Sequence, residues 1–238
     1  MPEATTNDQN ELRNAAAGNN GQAQNGYAIQ KRRGSQYVDL LLQKLQKMEG
    51  LDRAPILGVT SPSKRQGVST LATNLAIRAA DHFKDPVLLV DCNYKNQRTS
   101  RLYRCNGDGF GECFTGAANI EQCVKKSKVP NLSVLGTGKA KLARQIVVDS
   151  EVIGNFFKAI RSNFRFSVLD LPTTGDPSAI DGMMQYMDGV FVVASYGSRK
   201  RELQQLQQSI VEMGGNVLGI IMTGDESKVP SWVPGFLR

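Results

Sequence analysis

The chain has 238 residues, 40% hydrophobic and 21% charged, with a formal net charge of +7. That is enough for one large domain with a substantial core, or two small ones, and the composition is not that of a disordered or fibrous protein. No apolar run approaches the roughly 20 residues that cross a bilayer, and the start, MPEATTNDQNELR, lacks the basic end and apolar core of a secretory leader. The expected location is therefore cytoplasmic, with any membrane association made through a partner. The positive surplus is spread along the chain, so nucleic acid is not the expected ligand. Cys92, Cys105, Cys113 and Cys123 show no paired C-x-x-C spacing and are expected to be free thiols. His82 is expected to pack or face solvent.

In chain order, residues 1–34 are rich in Asn, Gln, Ala and Gly and nearly devoid of large apolar side chains. Such a segment buries too little surface to offset its ordering entropy and is expected to be a disordered tether, closed by the basic cluster Lys31, Arg32 and Arg33. An amphipathic helix is predicted within 35–50, with Tyr37, Leu41, Leu45 and Met48 as its apolar stripe and Gly50 as its stop. Residues 51–238 form the predicted domain.

That domain is organised around ILGVTSPSKRQGVSTLATNLAIRAA, Ile56 to Ala80. An apolar strand ends in a polar turn, and helical periodicity begins directly after Gly67. Strand, loop and helix in this order aim backbone N–H groups and a helix N-terminus at one point, which suits phosphate. The pattern G-x-x-x-x-G-K-[ST] belongs here. Gly67 and Ser69 fit it, but Pro62 stands at the first Gly and Val68 at the lysine.

Further strands are predicted at Val87–Val90, Leu132–Leu135, Phe166–Leu169, Val190–Ala194 and Val217–Met222. Helices are predicted at Ile120–Lys126, Asp149–Arg161 and Lys200–Met213. The alternation predicts one doubly wound, mainly parallel α/β sheet. Two strands end in carboxylates, Asp91 and Asp170. Strand ends of this kind face the ligand crevice. Ser69, Asp91 and Asp170 are thus candidate magnesium ligands, with the amides of Gly67 to Thr70 as phosphate donors.

The segments SPSKRQGVSTLATNLA, VLLVDCNYK and FSVLDLP, with VPNLSVLGTG, YMDGVFVVAS and NVLGIIMTG between and after them, together resemble the bacterial tyrosine autokinases. These are the cytoplasmic P-loop domains of polysaccharide co-polymerases, related to partition and division-site ATPases. The resemblance covers about Ile56 to Gly224. It implies a P-loop NTPase-like fold and a site for ATP or ADP with magnesium at Ser63, Lys64, Arg65, Gln66, Gly67, Val68, Ser69, Thr70 and Thr223, with Asp91 and Asp170 as catalytic carboxylates. It also implies a partner: a membrane-embedded chain-length (co-polymerase) protein, a kinase paralogue, or a second copy of the chain.

The departures are specific. Val68 replaces the lysine, Asn93 replaces the second acid of D-x-D, and Thr223 stands where the family often has an adenine-reading Asn. Gln36, Asp39 and Leu42 replace the Glu and Arg set of ring assembly. The tail DESKVPSWVPGFLR has no tyrosine to phosphorylate. Losing one charged partner to phosphate costs about 1.5–3 kcal/mol, which binding survives better than transfer does. The expectation is a degenerate, regulatory or scaffolding member of the exopolysaccharide pathway. The rivals are a working kinase or ATPase using Lys64 or Arg65, and a partition-type ATPase that coats DNA.

Overall fold

The computed structural model describes residues 34–46, 54–139, 149–173 and 181–224. The predicted tether, its basic cluster, Met48, Gly50 and the tyrosine-free tail lie outside them. Seven strands form one sheet in the order β3-β4-β2-β5-β1-β6-β7. They are β1 (Ile56–Thr60), β2 (Val87–Asp91), β3 (Lys125–Lys126), β4 (Leu132–Leu135), β5 (Phe166–Asp170), β6 (Gly189–Ser195) and β7 (Val217–Thr223). All pairings are parallel except β3 with β4. The aliphatic runs of β1, β2 and β5 are buried along their whole length, because helices cover both faces of the central sheet.

Helix α1 (Gly34–Gln46) packs on α2 (Val68–Phe83), and α2 packs over β5, β2 and β1. Ala72, Ala76, Ala79 and Ala80 give α2 a flat buried side, which lets its axis approach the sheet closely. Short helices α3 (Arg98–Leu102), α4 (Phe110–Phe114) and α5 (Ile120–Cys123) follow β2. After β4 come α6 (Ser150–Asn163), a 3-10 turn (Asp181–Tyr186) and α7 (Lys200–Glu212). The core cluster they build centres on Phe110, Phe114 and Phe156, whose rings meet at 5.2–5.9 Å. The four cysteines are free thiols, and His82 is exposed with its ring edge on Phe83.

Two local expectations change. The predicted helix Ile120–Lys126 stops at Cys123, and Lys125–Lys126 pairs antiparallel with β4 through Lys125↔Val134 and Lys126↔Ser133. The cause is the turn that follows: Asn131 takes a left-handed φ of 62°, and Ser127 N–H donates to the Leu132 carbonyl at 3.0 Å. That tight reversal brings Lys125 and Lys126 alongside β4. Both lysines are exposed and blunt a sheet edge against further pairing.

The α1 stripe is also rotated. Val38, Leu42 and Leu45 are buried while Leu41 is half-buried, because the i, i+4, i+7 set competes with the i, i+4, i+8 set at the same period. The rotation places Asp39 beside Arg78 of α2, whose Nε donates to Asp39 Oδ1 at 2.8 Å while Nη2 pairs with Oδ2. Arg78→Ala should cost about 1 kcal/mol in urea denaturation, since the pair is partly exposed. A loss several times larger would show that this ion pair alone holds α1 in place.

Candidate functional site

The register of the sheet assembles the site. Val59 of β1 lies level with Asp170 of β5, and Asp170 lies level with Asp91 of β2. The loop after β1 and both strand-end carboxylates therefore share one edge of the sheet, as the sequence predicts. The loop is bent by two left-handed residues, Arg65 (φ 65°) and Gly67 (φ 94°). Glycine adopts this conformation without penalty, and such alternation turns successive amides inward, as an anion cradle requires. The Gly67 carbonyl then accepts from Leu71 N–H at 2.9 Å and starts α2.

The loop is braced from the far strands. Thr223 Oγ1 donates to the Gln66 carbonyl at 3.0 Å and lies 3.3 Å from that of Ala194. The Gln66 side chain donates to Ser198 Oγ at 2.9 Å. Thr223 thus ties β7 to the phosphate loop through its hydroxyl. On the other flank Thr60 Oγ1 donates to the Pro172 carbonyl at 2.7 Å, and Ser61 Oγ donates to the Ser63 carbonyl at 2.8 Å.

The two carboxylates differ in their surroundings. Asp91 is fully buried. Its Oδ1 accepts from Asn93 N–H at 3.0 Å, and its Oδ2 accepts from Ser100 N–H and Ser100 Oγ, each at 2.7 Å. Burial raises its pKa, and those hydrogen bonds oppose the rise. Asp170 is equally buried, but Oδ2 accepts only from Thr99 Oγ1 at 2.7 Å, and Oδ1 has no hydrogen-bond partner among the described residues. Burial first, and the neighbouring Asp91 charge second, push the Asp170 pKa up to about 7. The Ser69 hydroxyl lies near enough to favour the ionised form without closing a hydrogen bond on Oδ1.

An orphaned, buried carboxylate oxygen beside a hydroxyl fits a cation, and magnesium takes one or two protein carboxylates together with phosphate oxygens. Asp170 and Ser69 match that donor set. Asp91, with both oxygens occupied, would act by holding the β2–α3 connection in place.

In front of these groups lies a cleft of about 270 Å³. Lys64, Arg65, Gln66, Gly67, Val68, Ser69 and Thr70 line it from the loop, and Asn93, Lys95, Asn96 and Arg98 line it from the β2–α3 connection. Ser63, Asp91, Asp170 and Thr223 are not among its lining residues. Lys95 and Arg98 are the lining cations that the sequence reading missed. The available signal was their position just beyond Asn93, on the chain that leaves a ligand-facing strand end.

No family model matches the chain. It is 25% identical over 181 residues to the tyrosine-protein kinase CpsD of Streptococcus agalactiae, covering 74% of this chain and 77% of that kinase. Among solved structures it resembles the kinase domain of the Escherichia coli tyrosine kinase ETK, with a TM-score of 0.66, 18% identity and coverage of 84% and 80%. It also resembles the septum site-determining protein MinD of Pyrococcus horikoshii, solved with Mg-ADP, with a TM-score of 0.60, 19% identity and coverage of 75% and 74%. The chain is accordingly a homologue of the bacterial tyrosine-protein kinases, carried on the P-loop ATPase fold.

Proposed function

We propose that this chain keeps a nucleotide-binding cleft but not phosphoryl transfer, and serves as a cytoplasmic regulatory or scaffolding partner in exopolysaccharide or capsule synthesis and export. The observation that carries this reading is Val68, an aliphatic side chain on the cleft wall at the first residue of the helix that follows the phosphate loop. Transfer requires fixed positive charge on the migrating phosphoryl group, and this position supplies none. Asn93 in place of an acid and the engagement of both Asp91 oxygens support the same conclusion. Binding of ATP or ADP with magnesium would be weak and would use Ser69 and Asp170, with magnesium supplying charge on the phosphates. The expected partner is a membrane-embedded chain-length protein, a kinase paralogue or a second copy of the chain. Among the described residues no helix is long and apolar enough to cross a membrane.

Incubation with labelled ATP, magnesium and a candidate partner should leave no tyrosine phosphate on the chain. Clear phosphorylation would overturn the reading. A working kinase or ATPase is the second reading, because Lys64 and Arg65 line the same cleft and CpsD is a kinase by name. It requires turnover that collapses both in Asp170→Ala and in the Lys64→Ala, Arg65→Ala double variant.

A further inference from the structure

We infer that Lys95 and Arg98, which line the same cleft as the phosphate loop, hold the phosphates of a nucleoside polyphosphate in its metal-free form. The inference rests on reading the cleft as a nucleotide site and assigns that site a different charge partner. Lys64, Arg65, Lys95 and Arg98 line the cleft, and among the described residues no carboxylate does. A free triphosphate carries about two more negative charges than its magnesium complex. Walls that are positive and lack acids attract the free form more strongly.

The position of Arg98 is set by its neighbours. The next two residues of α3 anchor on the strand ends, Thr99 on Asp170 and Ser100 on Asp91, through buried hydrogen bonds of 2.7 Å. Anchoring of the next two residues fixes the backbone from which the exposed Arg98 side chain starts, which lowers part of the ordering cost of gripping phosphate. Lys64 and Arg65 belong to the phosphate loop itself, and all four cations are solvent-exposed. The same geometry weakens the site for a divalent ion. Asp91 has both oxygens occupied, Asn93 is neutral, and Arg98 lies close enough to Asp170 to offset its charge. One open carboxylate oxygen with the Ser69 hydroxyl gives magnesium a smaller protein ligand set than two free carboxylates would, whereas a phosphate chain could bridge Arg98 and the amides after Gly67.

The test is calorimetric titration of ATP into the full chain, once with EDTA and once with magnesium, for the parent and for Lys95→Ala, Arg98→Ala. Affinity with EDTA should equal or exceed that with magnesium, and the double variant should weaken EDTA binding by about tenfold or more. The Arg98→Lys variant, on the Lys95-containing parent, should retain most of the affinity, which separates lost charge from lost fold. Binding that appears only with magnesium would overturn the inference and leave the nucleotide reading standing. No binding in either buffer would overturn both. Unchanged affinity in the double variant would remove Lys95 and Arg98 from the site.

Discussion

Asp170→Asn is expected to stabilise the protein at pH 8 by up to about 4 kcal/mol, the free energy that corresponds to a carboxyl raised from an ordinary 3.8 to about 7. The folded state binds this proton more tightly than the unfolded chain does. The Asp170 contribution is therefore complete below about pH 4 and is lost as the pH rises through 7. Above that, the fold carries a buried charge beside Asp91 with one oxygen unpartnered among the described residues. Asparagine is neutral throughout and can still accept from Thr99. Urea denaturation at pH 5 and pH 8 measures the effect: the variant should gain relative to the parent at the higher pH. Part of the slope should persist, because burial raises the Asp91 pKa as well. A variant destabilised equally at both pH values would show that the carboxylate is stabilised in the fold and that its charge is not strained there.

The second large effect concerns the lysine position. Val68→Lys should tighten ATP binding by roughly ten- to a hundredfold, the equivalent of one charged hydrogen bond to phosphate. Position 68 lines the cleft and is only half-buried, so a lysine has an exit to solvent and a target within the cavity. Calorimetry with ATP measures the gain, and urea denaturation checks that the fold tolerates the change. An unchanged affinity would mean that the helix start does not face the phosphates, and the nucleotide reading of the cleft would lose its main geometric support.

Much of the fold was legible in the sequence. Continuous aliphatic runs at Val87–Val90 and Phe166–Leu169 read as buried parallel strands because a strand covered on both faces has no reason to alternate. Gly67 read as the pivot of the phosphate loop because the pattern switches from strand to helix around it. Strand-end positions put Asp91 and Asp170 at one edge of the sheet, and the register sets them side by side. Misreadings arose where local periodicity was ambiguous. The residues after Ile120 fit a helix until the turn at Asn131 reverses the chain, and the α1 stripe had two solutions of equal period, decided by what α2 offers to pack against.

The site divides in the same way. Residue identity by itself determined that Val68 and Asn93 stand where the motif would have a lysine and a second acid, since composition along a motif does not depend on folding. It also determined that a nucleotide-type loop precedes a helix. Only the tertiary structure decided how the two carboxylates differ. The chain gives them the same setting, an apolar run ending in Asp, yet Ser100 and Asn93 occupy both oxygens of one, and Thr99 leaves an oxygen of the other open. It likewise decided that Lys95 and Arg98 line the same cleft as the phosphate loop. Thr99 and Asp170 lie 71 residues apart, and even the near partners of Asp91, two and nine residues on, reach it only through the fold of the β2–α3 connection, which sequence spacing does not record.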